Sequence, residues 1–280
     1  MRIASVTING RATYGVVDQA AITVASAATL AQHPDLRSAI AAVGVAELAS
    51  LVSERHPLSA VTYLPVIPNP DKIFCIGINY ASHIAETGRP LPEKPVVFMR
   101  YANSQVAAGQ PIIRPLDSEQ LDYEGELAVV IGRAGRRIPA SEALGHVAGY
   151  ACYNDGSVRD FQRHSSQFGP GKNFPCTGGF GPWLVTTDEI PDPSSLTLQT
   201  RLNGQVMQEA PISDLVFDVQ ALIAYCSTFT ELVPGDVIVT GTTGGVGLFR
   251  NPPVFMKDGD VVEVEISGIG TLVNPVRAER

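Results

Sequence analysis

The chain has 280 residues, of which 45% are apolar and 17% charged, and 20 basic against 28 acidic residues give it a formal net charge of -8. This composition is typical of a globular protein of one or two domains and argues against long disordered segments. The acidic balance argues against a nucleic-acid partner, because phosphate binding needs clustered Lys and Arg. The four cysteines form no C-x-x-C pair, which argues against a disulfide framework or a zinc finger.

The amino terminus lacks the apolar core of a signal peptide. No run approaches the roughly 20 apolar residues of a membrane-spanning helix. These two features predict a cytoplasmic protein that has no membrane partner.

A proline-rich segment at residues 65–70 divides the chain into a small N-terminal α/β domain, residues 1–66, and a longer unit, residues 67–280. The elements predicted in the first domain are strands at 3–8 and 13–17, joined by an Asn9-Gly10 turn, and a helix at 35–52 capped by Asp35. No residue of this domain shows a pattern that indicates chemistry.

The longer unit is rich in short strands and contains no internal repeat. Its predicted elements are strands at 73–78, 127–132 and 237–240, a helix at 213–225 capped by Ser213, and a hairpin that begins at Asp258-Gly259. Valines and an isoleucine alternate with glutamates in that hairpin, which predicts one buried and one exposed face.

An acidic pair, Glu124 and Glu126, begins an apolar strand pattern. Side chains two residues apart share one face of a strand, so these carboxylates can converge on one hard cation. Asp155, which follows a second apolar stretch, is a candidate third ligand. The alternatives are a solvated strand end for the pair and an ordinary Asp-Gly turn for Asp155.

Two further features suggest catalysis. Lys172 lies in a glycine-rich loop, residues 167–173, where a lysine can stabilise an oxyanion or remain a solvated surface charge. His83 and Glu86 would be neighbours on a short helix between Asn79 and Gly88, and such a pair acts either as a general base or as a surface contact.

A glycine-rich turn at residues 241–247 follows a predicted strand. Its exposed backbone N–H groups could bind a carboxylate or a phosphate. It matches neither a P-loop nor the G-x-G-x-x-G fingerprint, which argues against a nucleotide site.

These features, taken in order, resemble the fumarylacetoacetate hydrolase superfamily over roughly residues 67–280. The segments that carry the resemblance are GINYASHIAE (77–86), DYEGELAVVIG (122–132), NDGSVRD (154–160), Lys172, GPW (181–183), PGD (234–236) and GTTGGVG (241–247). The combination is specific, although each segment alone is weak.

The resemblance implies an α+β fold in which a β-rich mixed roll follows the small N-terminal domain, and it implies a homodimer. It further implies the following roles: Glu124, Glu126 and Asp155 as ligands of Mg²⁺ or Mn²⁺; His83, Glu86 and Lys172 as catalytic residues; and Tyr80, Gln162 and Thr242 as substrate contacts. Arg159 would support this site.

The activity that this implies first is metal-dependent hydrolysis of a C–C bond in an acylpyruvate-type 2,4-dioxo acid, giving pyruvate and a short acid. The partner would then be a small 2-oxo-carboxylate substrate. The alternatives are decarboxylation or isomerisation of 2-oxo or 2-hydroxy-diene dicarboxylates at the same site, or a non-catalytic ligand-binding relative.

Two positions depart from the pattern of many relatives. Asn173 and the residues after it include no Asp shortly after the site lysine, and Thr243 stands where many relatives have Pro. No counterpart of a fourth metal carboxylate is found at residues 74–78, so three protein ligands are expected.

Overall fold

The computed structural model describes residues 1–88 and 90–280. Its strands in chain order are Arg2–Ile8 (β1), Arg11–Val17 (β2), Ala21–Ala25 (β3), Val52–Pro57 (β4), Thr62–Tyr63 (β5), Ile73–Gly77 (β6), Val96–Arg100 (β7), Gln105–Val106 (β8), Ile112–Arg114 (β9), Leu121–Asp122 (β10), Gly125–Ile131 (β11), Val147–Asp155 (β12), Ser157–Val158 (β13), Gly178–Thr186 (β14), Thr197–Leu202 (β15), Gln205–Pro211 (β16), Val237–Thr242 (β17), Val261–Ile266 (β18) and Gly270–Ala278 (β19).

The helices are short and lie between these strands. The α-helices are Ala27–Gln32 (α1), Leu36–Val43 (α2), Ala81–Thr87 (α3), Arg159–Gln162 (α4), Gly169–Lys172 (α5) and Val219–Phe229 (α6). Single 3₁₀ segments are Val45–Leu51, Leu58–Ala60, Ala102–Ser104, Ala140–His146, Pro193–Ser195, Ile212–Asp214 and Gly247–Phe249. None of the helices within 1–88 and 90–280 is long and apolar enough to cross a membrane.

One mixed sheet organises the molecule. Its 12 strands include the path β4-β3-β2-β1-β14-β12-β11-β17-β6-β7, with β5 on β1 and β8 on β14. A 5-stranded sheet, β16-β15-β18-β19-β9, and the pair β10-β13 complete the predicted α+β, β-rich fold. Strand β1 pairs with β14, so the N-terminal strands continue the main sheet. The domain division at residue 66 stays a prediction.

The central strand β11 explains why the site lies inside the molecule. All seven of its residues are buried. Leu127, Val129 and Ile131 pack into the core on one face of the sheet, whereas Ala128 and Val130 pack into the core on the other. Because side chains alternate along a strand, Glu126 lies on the face of Ala128 and is carried into the interior.

Most predicted elements of the first 52 residues are confirmed. Strands β1 and β2 flank Asn9 and Gly10, whose φ angles of 50° and 79° form the turn. Asp35 caps α2 and accepts the N–H of Ser38 at 2.7 Å. The helix predicted at 35–52 ends early, because Gly44 adopts a φ of 73° and a 3₁₀ segment follows it.

Two helix starts were predicted wrongly. Helix α6 begins after Asp218, which accepts the N–H of Ala221 at 2.7 Å, whereas Ser213 lies in a separate 3₁₀ segment. Asn79 does not cap α3, because its side-chain amide instead donates to the carbonyl groups of Phe217 and Thr240, at 3.0 and 2.8 Å. The bonds of Asn79 are long-range, whereas the cap that Asp218 gives to α6 is local.

Candidate metal centre and active site

The register of β11 and β12 brings the three predicted metal carboxylates together. Asp155 donates its backbone N–H to the carbonyl oxygen of Glu124 at 2.8 Å, so the two residues face each other across the antiparallel pair. Glu126 follows two residues later on the same face. One carboxylate oxygen of each residue lies within 4.8 Å of the other two, and all three side chains are buried.

Lys172 and two arginines neutralise two of the three carboxylates. Lys172 Nζ donates to Glu124 Oε2 and to Asp155 Oδ2, each at 2.6 Å. Arg159 Nη1 lies 2.6 Å from Glu124 Oε1, and Arg100 Nη1 lies 2.5 Å from Asp155 Oδ1. Both oxygens of each of these carboxylates therefore have a cationic neighbour.

Glu126 differs from its two neighbours. Its Oε2 accepts the backbone N–H of Gly241 at 2.5 Å, and no ion pair joins it to a cationic side chain in the described part of the chain. Gly241 has a φ of +107°, and a Cβ there would lie 2.8 Å from Cβ of Asn79, so only glycine presents this N–H without strain. The buried carboxylate of Glu126 is the one that lacks a positive partner.

The pKa shifts reflect this difference. Burial alone would raise the pKa of Glu124, but Lys172 and Arg159 outweigh it and lower that pKa to about 2. Burial, then the charges of Asp155 and Glu124, raise the pKa of Glu126 well above its ordinary value. Lys172 keeps a raised pKa in spite of its burial, because Asp155 and Glu124 hold its charge.

A divalent cation fits this set of residues. The donors are all carboxylate oxygens, which Mg²⁺ and Mn²⁺ prefer, and they converge inside the protein. Such an ion would supply the positive partner that Glu126 lacks among the described side chains. The structure therefore supports a divalent-metal centre formed by these three residues.

Asp122 and Arg100 support the site, and the sequence analysis assigned no role to either. Asp122 Oδ2 accepts from Arg159 Nε at 2.8 Å, and its two oxygens also accept the N–H groups of Gly247 and Leu248 at 2.8 and 2.9 Å. Asp122 is the first residue of the acidic motif 122–132, so its place in that motif could have indicated a role in the site. Arg100 ends the apolar strand β7, where only its burial reveals its function.

Lys172 lies at the end of α5 rather than in the open loop that the glycines suggested. Gly171 allows this helix to pack against α4, because a Cβ there would lie 2.4 Å from the backbone nitrogen of Gln162. This close contact helps to position Lys172, which is 1% exposed.

The predicted His83/Glu86 pair is formed on α3. His83 Nδ1 lies 3.2 Å from Glu86 Oε2, and the other carboxylate oxygen, Oε1, accepts the backbone N–H of Gly245 at 2.6 Å. Helix α3 ends at Gly88, which has the left-handed conformation expected of a C-cap. With Nδ1 bound to Glu86, Nε2 is the ring nitrogen left for proton transfer.

A cavity of about 760 Å³ connects these groups. Of the predicted site residues, six line it: His83, Glu124, Glu126, Gln162, Lys172 and Thr242. Apolar residues form much of its remaining wall: Ile76, Ile78, Val96, Phe98, Phe168, Leu248 and Phe249. This wall limits water around the charged groups, which strengthens their electrostatic effect.

The three predicted substrate contacts have different environments. Gln162 Oε1 accepts from Arg159 Nη1 at 2.9 Å, and the Thr242 hydroxyl donates to the carbonyl of Gly125 at 2.9 Å. Tyr80 does not line the cavity: it is fully buried at the start of α3, where its backbone pairs with Leu215. The structure therefore places Tyr80 outside the cavity lining, and its role as a substrate contact stays a prediction.

Comparison with known proteins agrees with this geometry. Oxaloacetate tautomerase FAHD2A, mitochondrial, from Bos taurus is 45% identical over 222 residues, which is 79% of this chain and 71% of that protein. The structure of 5-carboxymethyl-2-hydroxymuconate delta-isomerase from Mycobacterium smegmatis is 33% identical, with a TM-score of 0.82 and 100% of both chains covered.

Maleylpyruvate hydrolase from Sphingobium sp. SYK-6, whose structure is a complex with manganese(II) ion and pyruvate, is 30% identical. Its TM-score is 0.82, and again 100% of both chains is covered. The sequence pattern described as Fumarylacetoacetate (FAA) hydrolase C-terminal matches residues 72–277. The chain is therefore a member of the fumarylacetoacetate hydrolase family.

Proposed function

We propose that this protein is a divalent-metal-dependent tautomerase of small 2-oxo dicarboxylates of the oxaloacetate type. The observation that carries the proposal is the buried triad Glu124, Glu126 and Asp155, because two of its members, Glu124 and Glu126, line one cavity with the Glu86-paired His83. The similarity to a protein named oxaloacetate tautomerase, at 45% identity, supports the choice of reaction.

Keto–enol tautomerisation needs only a proton transfer. The C3–H bond of the substrate breaks, an O–H bond forms at the 2-oxo oxygen, and no oxidant or co-reactant is consumed. His83 is placed to carry the proton on Nε2, while Glu86 holds its ring and stabilises the imidazolium form. Mg²⁺ or Mn²⁺, held by the carboxylate triad, would supply a Lewis acid for the 2-oxo-carboxylate group.

The other residues of the cavity oppose negative charge. Lys172 is fully buried and stays protonated, since its pKa is raised, so it acts through its fixed charge rather than as a base. Arg159 is held by Asp122 and Glu124, and its Nη2 has no hydrogen-bond partner among the described residues. A substrate anion in the cavity would meet both groups without any rearrangement of their supports.

Hydrolysis of an acylpyruvate, which the sequence analysis placed first, is now the second candidate. The relatives described above include a tautomerase, an isomerase and a hydrolase. Two of these three catalyse isomerisations, which supports isomerisation, the alternative in the sequence analysis, over hydrolysis. One observation still favours hydrolysis: the His83/Glu86 pair is also suited to orient and deprotonate a water molecule.

The two candidates separate in a direct assay. We expect Mg²⁺ or Mn²⁺ to support enolisation of oxaloacetate, followed by ultraviolet absorbance, and EDTA to abolish it. Maleylpyruvate and acetylpyruvate, offered under the same conditions, should release little pyruvate. Rapid pyruvate release from either compound, with no acceleration of enolisation over the enzyme-free metal control, would transfer the assignment to hydrolysis.

His83→Gln should lower kcat for tautomerisation by about 10²- to 10⁴-fold, the usual contribution of a general acid–base group. Its Mn²⁺ affinity, measured by calorimetry, should stay close to the wild-type value, because His83 is not one of the three carboxylates. His33→Gln, at the end of α1, is the matched control and should be fully active. Unchanged kcat in His83→Gln would remove the proton-transfer role.

Three other sequence-based expectations remain proposals. We propose that the partner is a small 2-oxo-carboxylate and that the protein binds neither nucleic acid nor a membrane. We also propose that it assembles as a homodimer. We also propose a cytoplasmic location, although the relative from Bos taurus is named a mitochondrial protein.

A further inference from the structure

We propose that Ser82 and Thr243 are positioning residues for the His83/Glu86 pair: their hydrogen bond attaches α3 to residues 243–245 of the glycine-rich turn. The inference rests on the proposed function, in which His83 carries the proton. It assigns a role to two side chains that belong neither to the carboxylate triad nor to the residues that line the cavity.

The attachment consists of three polar contacts between one helix face and one turn. Ser82 Oγ lies 3.1 Å from Thr243 Oγ1, and it also accepts the N–H of Gly244 at 3.2 Å. Four residues further along, Glu86 Oε1 accepts the N–H of Gly245 at 2.6 Å. Positions i and i+4 lie on the same side of a helix, so all three contacts hold the same face.

Glu86 connects this attachment to the proposed chemistry. One of its oxygens holds His83 Nδ1 and the other holds the turn. If the helix moves away from the turn, Glu86 loses Gly245, and the imidazole then loses a fixed carboxylate. The Ser82–Thr243 bond opposes this movement one helical turn before Glu86.

The packing around the glycine-rich turn favours the Ser82–Thr243 hydrogen bond over other partners for these hydroxyl groups. Thr243 is 1% exposed, so its hydroxyl has a limited choice of partners, whereas Ser82 lies on the exposed side of the helix. A Cβ at Gly244 would lie 3.3 Å from Cδ of Glu86, which shows how closely α3 approaches the turn. The start of the segment is held separately by the buried side chain of Asn79.

Thr243→Val tests the proposal, since valine has nearly the shape of threonine but no hydroxyl group. We expect kcat to fall about fivefold, the factor that corresponds to one hydrogen bond of ordinary net strength, with KM nearly unchanged. Amide hydrogen exchange in residues 81–88 of the metal-free protein should accelerate by a similar factor. Thr243→Ser, which restores the hydroxyl, should recover both values.

A double-mutant cycle isolates the bond itself. If Ser82 and Thr243 act through each other, Ser82→Ala combined with Thr243→Val should be no worse than Ser82→Ala alone. Thr62→Val, at an exposed position of β5, is the control for the substitution and should match the wild type in every readout.

The outcomes are distinguishable from a failure of the proposed function. Wild-type exchange rates in residues 81–88 of Thr243→Val, or fully additive effects in the cycle, would overturn the positioning role whatever the substrate is. Faster exchange together with unchanged kcat would show that the attachment exists without positioning His83, and would overturn it too. If oxaloacetate is not a substrate, the exchange and cycle measurements still decide whether Ser82 and Thr243 hold α3.

Discussion

Glu126→Gln is expected to lower metal-dependent turnover by about 10³-fold, since loss of a Lewis-acid site removes several kcal/mol of charge stabilisation. The residue is the triad carboxylate without an ion pair to a cationic side chain in the described chain, so it depends most on the cation. Calorimetry with Mn²⁺ should show a matching loss of affinity. The exposed Glu119→Gln, whose side chain is 94% accessible, is the matched control and should behave as wild type.

Glu126→Gln should not destabilise the metal-free protein, although it lowers turnover. Burial and two neighbouring carboxylates raise the pKa of Glu126 in the folded protein. An acid whose folded pKa is raised destabilises the native state as pH rises above its unfolded value of about 4.3, because ionisation is easier in the unfolded chain. Metal-free Glu126→Gln should therefore unfold at an equal or higher temperature than the wild type at pH 7.

Added Mg²⁺ should reverse this order. At a hundredfold excess over its Kd, an ion that binds only the native state stabilises it by about 2.7 kcal/mol, and the variant should lack this gain. Calorimetric unfolding with Mg²⁺ and with EDTA checks both statements. A variant that is stabilised by Mg²⁺ as strongly as the wild type would contradict the assignment of Glu126 as a ligand.

Lys172→Met should separate metal binding from turnover. Lys172 is paired with Glu124 and Asp155 at 2.6 Å, and its loss leaves two buried carboxylates with fewer positive partners. Metal-free protein should be destabilised by roughly 3–5 kcal/mol, the usual effect of breaking a buried ion pair. Mg²⁺ should recover part of that loss, because it supplies positive charge to the same oxygens.

Turnover in Lys172→Met should remain about 10²- to 10³-fold below wild type even at saturating metal, since the fixed charge that opposes the developing oxyanion is absent. Affinity for Mn²⁺ should be equal to that of the wild type or tighter. Lys257→Met, at an exposed position, controls for the substitution. If metal affinity and kcat fell in the same proportion, Lys172 would be a structural support of the metal centre and nothing more.

The chemistry of the site was predictable from sequence because its residues lie in short contiguous segments. Glu124 and Glu126 share a strand face by the period of two, and His83 and Glu86 share a helix face by a spacing of three. Both patterns depend on local geometry alone, and the structure forms both. The order of the motifs then identified the family, which the match over residues 72–277 confirms.

Other features depended on contacts between residues far apart in the chain. Arg100 reaches Asp155 across 55 positions, and Tyr80, whose backbone pairs with Leu215, is fully buried. Asn79 also binds the backbone of Phe217, just before α6, across 138 positions, although the cap of α6 itself, Asp218, is local. The spacing of residues within one helix or strand does not indicate contacts of this kind.

The amino acid sequence by itself therefore determined the Glu124/Glu126 pair, the His83/Glu86 pair and the family, and Asp155 as the third carboxylate followed from the family resemblance. Only the tertiary structure decided how the charges balance: which carboxylates receive a cationic partner, and that Glu126 receives a backbone N–H in its place. It also decided that Ser82 and Thr243, 161 positions apart, meet beside that pair. Spacing along the chain specifies which side chains share a face, whereas sheet register and packing specify what that face meets.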